Sequence, residues 1–148
     1  MWQQIHHVVS QTGIGRVYRD KIPISDEGLK HMTWNVYLSG EIHTNWREEL
    51  ESGAKAAGLP VSFSAPVTNH PASDDCGVAI LGEEPNKFWH DNKGANVNAI
   101  RTRTLIEKAD VVVVRFGEKY KQWNAAFDAG YASALGKAVI IMHGADHQ

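Results

Sequence analysis

Asp128 is the one carboxylate in a run of small and aromatic residues, Phe127-Asp128-Ala129-Gly130-Tyr131-Ala132-Ser133-Ala134-Leu135-Gly136-Lys137-Ala138-Val139-Ile140. The run reads as a small-residue helix, a glycine stop and a buried strand. A carboxylate near the start of such a helix, beside aromatics, is a natural place for a nucleophile or a general base. The alternative is that Asp128 decorates the solvent face and favours the helix N-terminus electrostatically. The helix dipole favours the ionised form and apolar neighbours oppose it, so the direction of the pKa stays open.

Other reactive residue types point to little. The eight histidines never take a metal spacing such as His-Glu-x-x-His, so no metal site is expected. Cys76 follows Asp74 and Asp75, which raise a thiol pKa and work against reactivity. Asp110 precedes a valine run, at the amino end of a strand and away from any crevice, and reads as structural. Arg101 and Arg103 form either a solvated helix face or a phosphate contact; the latter would favour a nucleoside monophosphate over a nucleoside.

The elements that must position Asp128 follow from patterning. Residues 1–31 are polar and without period, and read as a peripheral N-terminal extension to a domain at 32–148. Residues 34–38 form a strand, ended by Ser39-Gly40. Thr44 or Asn45 can cap the next helix, in which Trp46, Leu50, Ala54 and Ala57 share one face and the charged residues lie elsewhere. Gly58 ends it. Residues 61–63 give a second strand. A polar connection over 64–94 carries Pro66, Pro71 and Pro85, with only short ordered pieces such as 78–81; connections this long are usually functional or disordered. Val97, Ile100, Thr104, Leu105 and Lys108 mark a helix. Val111-Val112-Val113-Val114 is a central strand buried on both faces. A polar loop over 117–122, the helix at 123–135 and a strand at 138–142 complete the order.

That alternation predicts an α/β protein with a doubly wound parallel sheet. Ligands bind such folds at the carboxyl ends of the strands. Residues 39–44, residues 115–123 and the first turn of the Asp128 helix should therefore converge on one crevice.

The chain has 148 residues, enough for one domain with a real core. A net charge of −2 with scattered Lys and Arg argues against nucleic-acid or acidic-membrane partners. Cys76 is the only cysteine, which fits a reducing compartment. There is no apolar run of membrane-spanning length and no secretory h-region, so a cytoplasmic location is expected. A sheet that stops after a fourth strand leaves an edge and apolar faces to cover, which predicts a homo-oligomer.

Tyr37-Leu38-Ser39-Gly40 resembles the Tyr-Leu-Ala-Gly opening of nucleoside 2-deoxyribosyltransferases. Asp128-Ala129-Gly130-Tyr131-Ala132 followed by Ala134-Leu135-Gly136-Lys137 resembles their Glu-x-Gly-Tyr-Ala and Ala-x-Gly-Lys-Pro signature. Ala109-Asp110-Val111-Val112-Val113 matches the strand entry between the two. The wording of Tyr37-Leu38-Ser39-Gly40-Glu41-Ile42-His43 and of Gln122-Trp123-Asn124-Ala125-Ala126-Phe127-Asp128 is similar to the YtoQ branch of that superfamily. The likeness implies a flavodoxin-like, three-layer α/β/α fold. It also implies an enzyme that cleaves the N-glycosidic bond of a 2′-deoxynucleoside or its monophosphate through a carboxylate nucleophile, with no metal or organic cofactor. An N-glycosidase that passes the sugar to water, or a nucleotide-binding module without catalysis, are the alternatives. Carried over by position, Asp128 is the nucleophile and Tyr37 orients it. Gly40 lets the backbone approach the ligand, and Glu41, His43, Asn124 and Gly130 lie where nucleoside contacts gather. Asp128 stands where the signature has Glu, so its oxygens lie one methylene nearer the backbone. An acidic residue of many relatives is replaced around Arg101, Thr102 and Arg103.

Overall fold

The computed structural model describes residues 32–119 and 122–144. The expected N-terminal extension at 1–31 lies outside the described residues. Four parallel strands, β1 (Trp34–Gly40), β2 (Val61–Ser64), β3 (Val111–Phe116) and β4 (Ala138–His143), form one sheet in the order β2-β1-β3-β4. This is the flavodoxin-like order, as far as the described strands run. Helices α1 (Trp46–Ala56), α2 (His70–Asp74), α3 (Cys76–Leu81), α4 (Lys87–Lys108) and α5 (Trp123–Ala134) connect them.

Strand alternation divides the core in two. Val36 and Leu38 of β1 and Val113 of β3 face α1, packing with Trp46 and the half-buried Leu50. Tyr37, Val112 and Val114 face the other way, against Ile106 of α4 and Ala125 and Ala132 of α5. The central strands β1 and β3 are therefore covered on both faces, as the valine run requires. Leu38 and Ile106 are fully enclosed, each worth about 1.5–3 kcal/mol of burial. Register is tight where it matters for the site: Leu38 pairs with Val113, Ser39 with Val114 and Gly40 with Arg115. At the opposite end, Asp110 Oδ2 accepts from the Asn35 amide at 2.8 Å while Asn35 O accepts from the Asp110 amide at 2.8 Å. Asp110 thus ties β1 to β3 and is structural.

Two expectations need correction. The connection over 64–94 is mostly helical. Asn69 caps α2 by accepting from the Ala72 amide at 3.0 Å, with Pro71 in the first turn. Asn86 caps α4 by accepting from the Phe88 and Trp89 amides at 2.9 and 3.4 Å. Side-chain caps and a proline in the first turn start helices, and here they outweigh the breaker signal of the prolines. Second, α1 does not keep all its charges in solvent, because Arg47 is buried. Asn45 precedes α1 without a side-chain cap, and Thr44 is engaged elsewhere.

Candidate functional site

α1 and α5 lie on opposite faces of the sheet. The loops that leave β1 and β3 lead to opposite faces, and the carboxyl ends of these two strands are where this topology offers a ligand its crevice. Asp128 is in the second turn of α5, not the first, so the helix dipole acts on it only weakly. Its side chain turns inward and is 8 % exposed, which removes the solvent-face alternative. The Ser39 hydroxyl donates to Asp128 Oδ2 at 2.6 Å. Burial raises the Asp128 pKa above its ordinary value, and the Ser39 hydrogen bond opposes that rise without cancelling it.

Tyr37 lies two residues before Ser39, on the same sheet face. It is fully enclosed, and its hydroxyl makes no hydrogen bond of good geometry. Burial pushes its pKa to about 12; the nearby Thr102 side chain tempers the rise, the Asp128 charge adds to it and Arg47 lowers it. The hydrogen bond to Asp128 therefore comes from Ser39, and Tyr37 acts on that carboxylate through space.

Glu41 is also buried. Its carboxylate accepts from the His43 amide, the Thr44 amide and the Thr44 hydroxyl. Burial pushes its carboxyl up, but those hydrogen bonds and the nearby His43 outweigh it, and the pKa is lowered overall. The Glu41 carboxylate is thus committed to shaping the loop that enters α1. The loop from β3 to α5 closes over it: a Cβ at Gly117 would stand 2.3 Å from Glu41 Cγ. Gln122 holds this second loop, accepting from the Gly117 amide and donating to Lys119 O, both at 3.1 Å.

Gly40 has φ +102°, and a Cβ there would stand 2.1 Å from Arg115 O. Its close approach is to the neighbouring strand, which gives this glycine a structural reason independent of any ligand. His43 is exposed at the start of the α1 loop, and Asn124 is exposed in the first turn of α5. Gly130 is exposed, with nothing within 4 Å of where its Cβ would stand. It is two positions from Asp128, so it faces a different side of the helix. The structure therefore gathers Asp128, Tyr37, Gly40 and Glu41 near the carboxyl end of β1. It leaves His43 and Asn124 on the outer surface and separates Gly130 from the Asp128 side chain. Arg101 and Arg103 are exposed on α4.

Two contributors are new. Ser39 is recoverable from sequence, because strand alternation places it on the face of Tyr37. Arg47 is not: helical periodicity puts it in solvent. Its guanidinium donates to Leu38 O at 3.2 Å, Glu41 O at 2.6 Å and Gly40 O at 3.1 Å, and lies 4.6 Å from the Trp46 ring centre. The Trp46 indole N–H adds a 2.8 Å bond to Glu41 O. Together they lock the exit of β1.

A hollow of about 370 Å³ lies elsewhere, lined by residues that include Asp74, Asp75, Glu84 and His90, and shares no residue with the Asp128 cluster. Among the described residues, no group of three or more His, Cys, Asp or Glu could hold a metal ion, and no helix is long and apolar enough to cross a membrane.

Comparison with known proteins decides the family. A family model described as "Nucleoside 2-deoxyribosyltransferase YtoQ" matches residues 37–148. The chain belongs to the YtoQ family. The match takes in the second half of β1 and every described element after it. The chain is also 50% identical over 111 residues to "Uncharacterized protein YtoQ" of Bacillus subtilis (strain 168), covering 75% of each chain. A solved 2-deoxyribosyltransferase from Bacillus psychrosaccharolyticus is similar at 16% identity and a TM-score of 0.47, with 77% of this chain and 75% of that one covered.

Proposed function

We propose that this YtoQ-family chain is a nucleoside 2-deoxyribosyltransferase-like enzyme acting on a 2′-deoxynucleoside or its monophosphate. The observation that supports this most is the buried Asp128 carboxylate, held by Ser39 near the carboxyl end of β1. In this reading Asp128 attacks C1′ of the sugar. The new O–C1′ bond forms as the C1′–N bond breaks, and the base leaves with that electron pair. A second base nitrogen then displaces the carboxylate and collects the sugar. A carboxylate suits both the oxocarbenium-like transition state and the covalent intermediate. Tyr37 lines the carboxylate's inner side. Glu41 shapes the loop that His43 extends, and in this reading Asn124, in the turn before Asp128, supplies a sugar or base contact from the surface. No metal or organic cofactor takes part.

Trp123 and Phe127 are 73 % and 74 % exposed on α5. We assign the outer face of α5 and the edge strand β4, where the exposed Ile140 and Ile141 project to opposite sides of the sheet, to contacts within a homo-oligomer. A cytoplasmic location fits a substrate of this class.

Transfer to water, an N-glycosidase activity, needs the same first step. A nucleotide-binding module without turnover is favoured by one observation, the near-complete burial of Asp128. One experiment separates the three. Purified protein is incubated with a panel of 2′-deoxynucleosides and their 5′-monophosphates, with and without free adenine or hypoxanthine, and followed by chromatography. Base exchange is expected. Release without exchange assigns the hydrolase, and binding without turnover assigns the module.

A further inference from the structure

We infer that Ser39 is the positioning residue for Asp128, holding Oδ2 so that Oδ1 is the oxygen presented to the crevice. As a statement about catalysis this rests on the nucleophile reading above; as a statement about the carboxylate it stands alone. Ser39 Oγ lies 2.6 Å from Asp128 Oδ2, and both side chains are buried. The two residues come from different elements, 89 positions apart in sequence. Ser39 sits in a strand with neighbours on both sides and pairs with Val114 of β3. Its side chain has a single carbon, so its donor is fixed to the sheet. Among the described residues, no other hydrogen bond reaches the Asp128 carboxylate. Tyr37, the next residue on this face of β1, makes none of good geometry, and Asn35, at the far end of the strand, is bonded to Asp110 and Ser62.

The pair is suited to every stage of the proposed cycle. In the free protein the hydroxyl donates to a charged oxygen, one of the stronger classes of hydrogen bond. When Oδ1 bonds to C1′ and the C1′–N electrons leave with the base, Oδ2 becomes the carbonyl oxygen of an ester and can still accept. When the second base takes the sugar, the electrons of the O–C1′ bond return to the carboxylate. The orientation is therefore kept while the charge comes and goes.

Other ionisable groups near α5 are accounted for. From β1, Tyr37, whose pKa is raised chiefly by burial, also feels the Asp128 charge. From α4, Glu107 accepts from the Tyr131 hydroxyl at 2.7 Å, and Arg103 acts on that same tyrosine. Lys137, just beyond α5, donates to Glu107 O. By alternation His143 closes β4 on the α5 side of the sheet, with Glu118 of the preceding loop beside Gly144, whereas Arg115 points to the α1 side. Among the groups described, Ser39 is the one hydrogen-bonded to Asp128.

The test reads the carboxylate directly. Protein labelled with carbon-13 at the aspartate carboxyl is titrated by NMR, with Asp128→Asn assigning the signal. Ser39→Ala should move the Asp128 midpoint upward, and Ser39→Thr, which keeps the hydroxyl, should return it toward the parent. In the base-exchange assay Ser39→Ala should lower kcat about tenfold to a hundredfold, the range of one lost hydrogen bond to a charged group. The acid limb of its pH profile should move upward and KM should change little. Thermal unfolding checks that both variants fold. An unmoved midpoint in folded Ser39→Ala, or parent kcat with an unmoved acid limb, overturns the proposal. A moved midpoint in a protein that turns over no substrate supports the Ser39–Asp128 coupling and sinks the nucleophile reading instead.

Discussion

Replacing Gly40 by alanine should destabilise the free protein by about 4 kcal/mol. Three costs combine. At φ +102° a residue with a Cβ is in a region reserved for glycine, at roughly 1–3 kcal/mol. The added Cβ would stand 2.1 Å from Arg115 O, 2.9 Å from its carbonyl carbon and 3.0 Å from its nitrogen, all backbone atoms that no rotamer change can clear. Relief requires the β1–β3 pair to separate. Arg115 O accepts the Glu41 amide at 3.0 Å, so separation strands a buried donor at about 1–3 kcal/mol. For a chain of this size each kcal/mol lowers Tm by roughly 2–4 °C, so the fall should be near 8–16 °C. Urea unfolding with linear extrapolation measures the loss, and an unchanged m-value would show that the unfolded state is not the cause. A loss below about 1 kcal/mol would refute the argument and return Gly40 to a role in ligand approach alone.

Four further perturbations test other parts of the account. Arg47→Met keeps volume but strips hydrogen bonds from three main-chain carbonyls, of which only Glu41 O keeps a side-chain donor, the Trp46 indole. A loss of about 3 kcal/mol in urea unfolding is expected, and a neutral result would mean water satisfies them. Gly130→Ala adds a methyl to open space on a helix and should stabilise the isolated chain by about 0.5–1 kcal/mol; if it instead changes the light-scattering mass, Gly130 lies in a subunit contact. Asp128→Asn should raise stability at neutral pH. The folded carboxyl pKa is raised above 3.8, so above that value the folded state holds the proton longer and Asp128 loses stability as pH rises. The gain should vanish as pH falls below the unfolded value. Glu41→Gln should do the reverse, because the lowered Glu41 pKa contributes stability that is present above 4.5 and lost as pH falls through the folded value.

The fold was legible where side-chain period and burial agree. The valine run of β3, the tryptophan face of α1 and the small-residue helix α5 carry the right periods, and their order allows few topologies. The connection over 64–94 was not legible, because three prolines mask two asparagine caps whose effect depends on the residues that follow them. At the site, Asp128 was legible as a carboxylate in an apolar run, but its depth in α5 depends on where the helix starts, after the left-handed Gln122. Ser39 was within reach of strand alternation. Arg47 was not, since its partners are backbone carbonyls, which leave no trace in side-chain pattern. Glu41 carried a site-like position in the sequence, yet its carboxylate is spent on the amides of its own loop.

The central claim is that Asp128 carries the chemistry. Asp128→Asn keeps the shape of the side chain and can still accept the Ser39 hydroxyl, while the charge is gone. Base exchange from the deoxynucleoside that the parent uses best should be abolished, with the variant at least as stable at neutral pH and still binding that nucleoside by calorimetry. Turnover by purified Asp128→Asn at the parent rate would contradict the claim and the mechanism built on it.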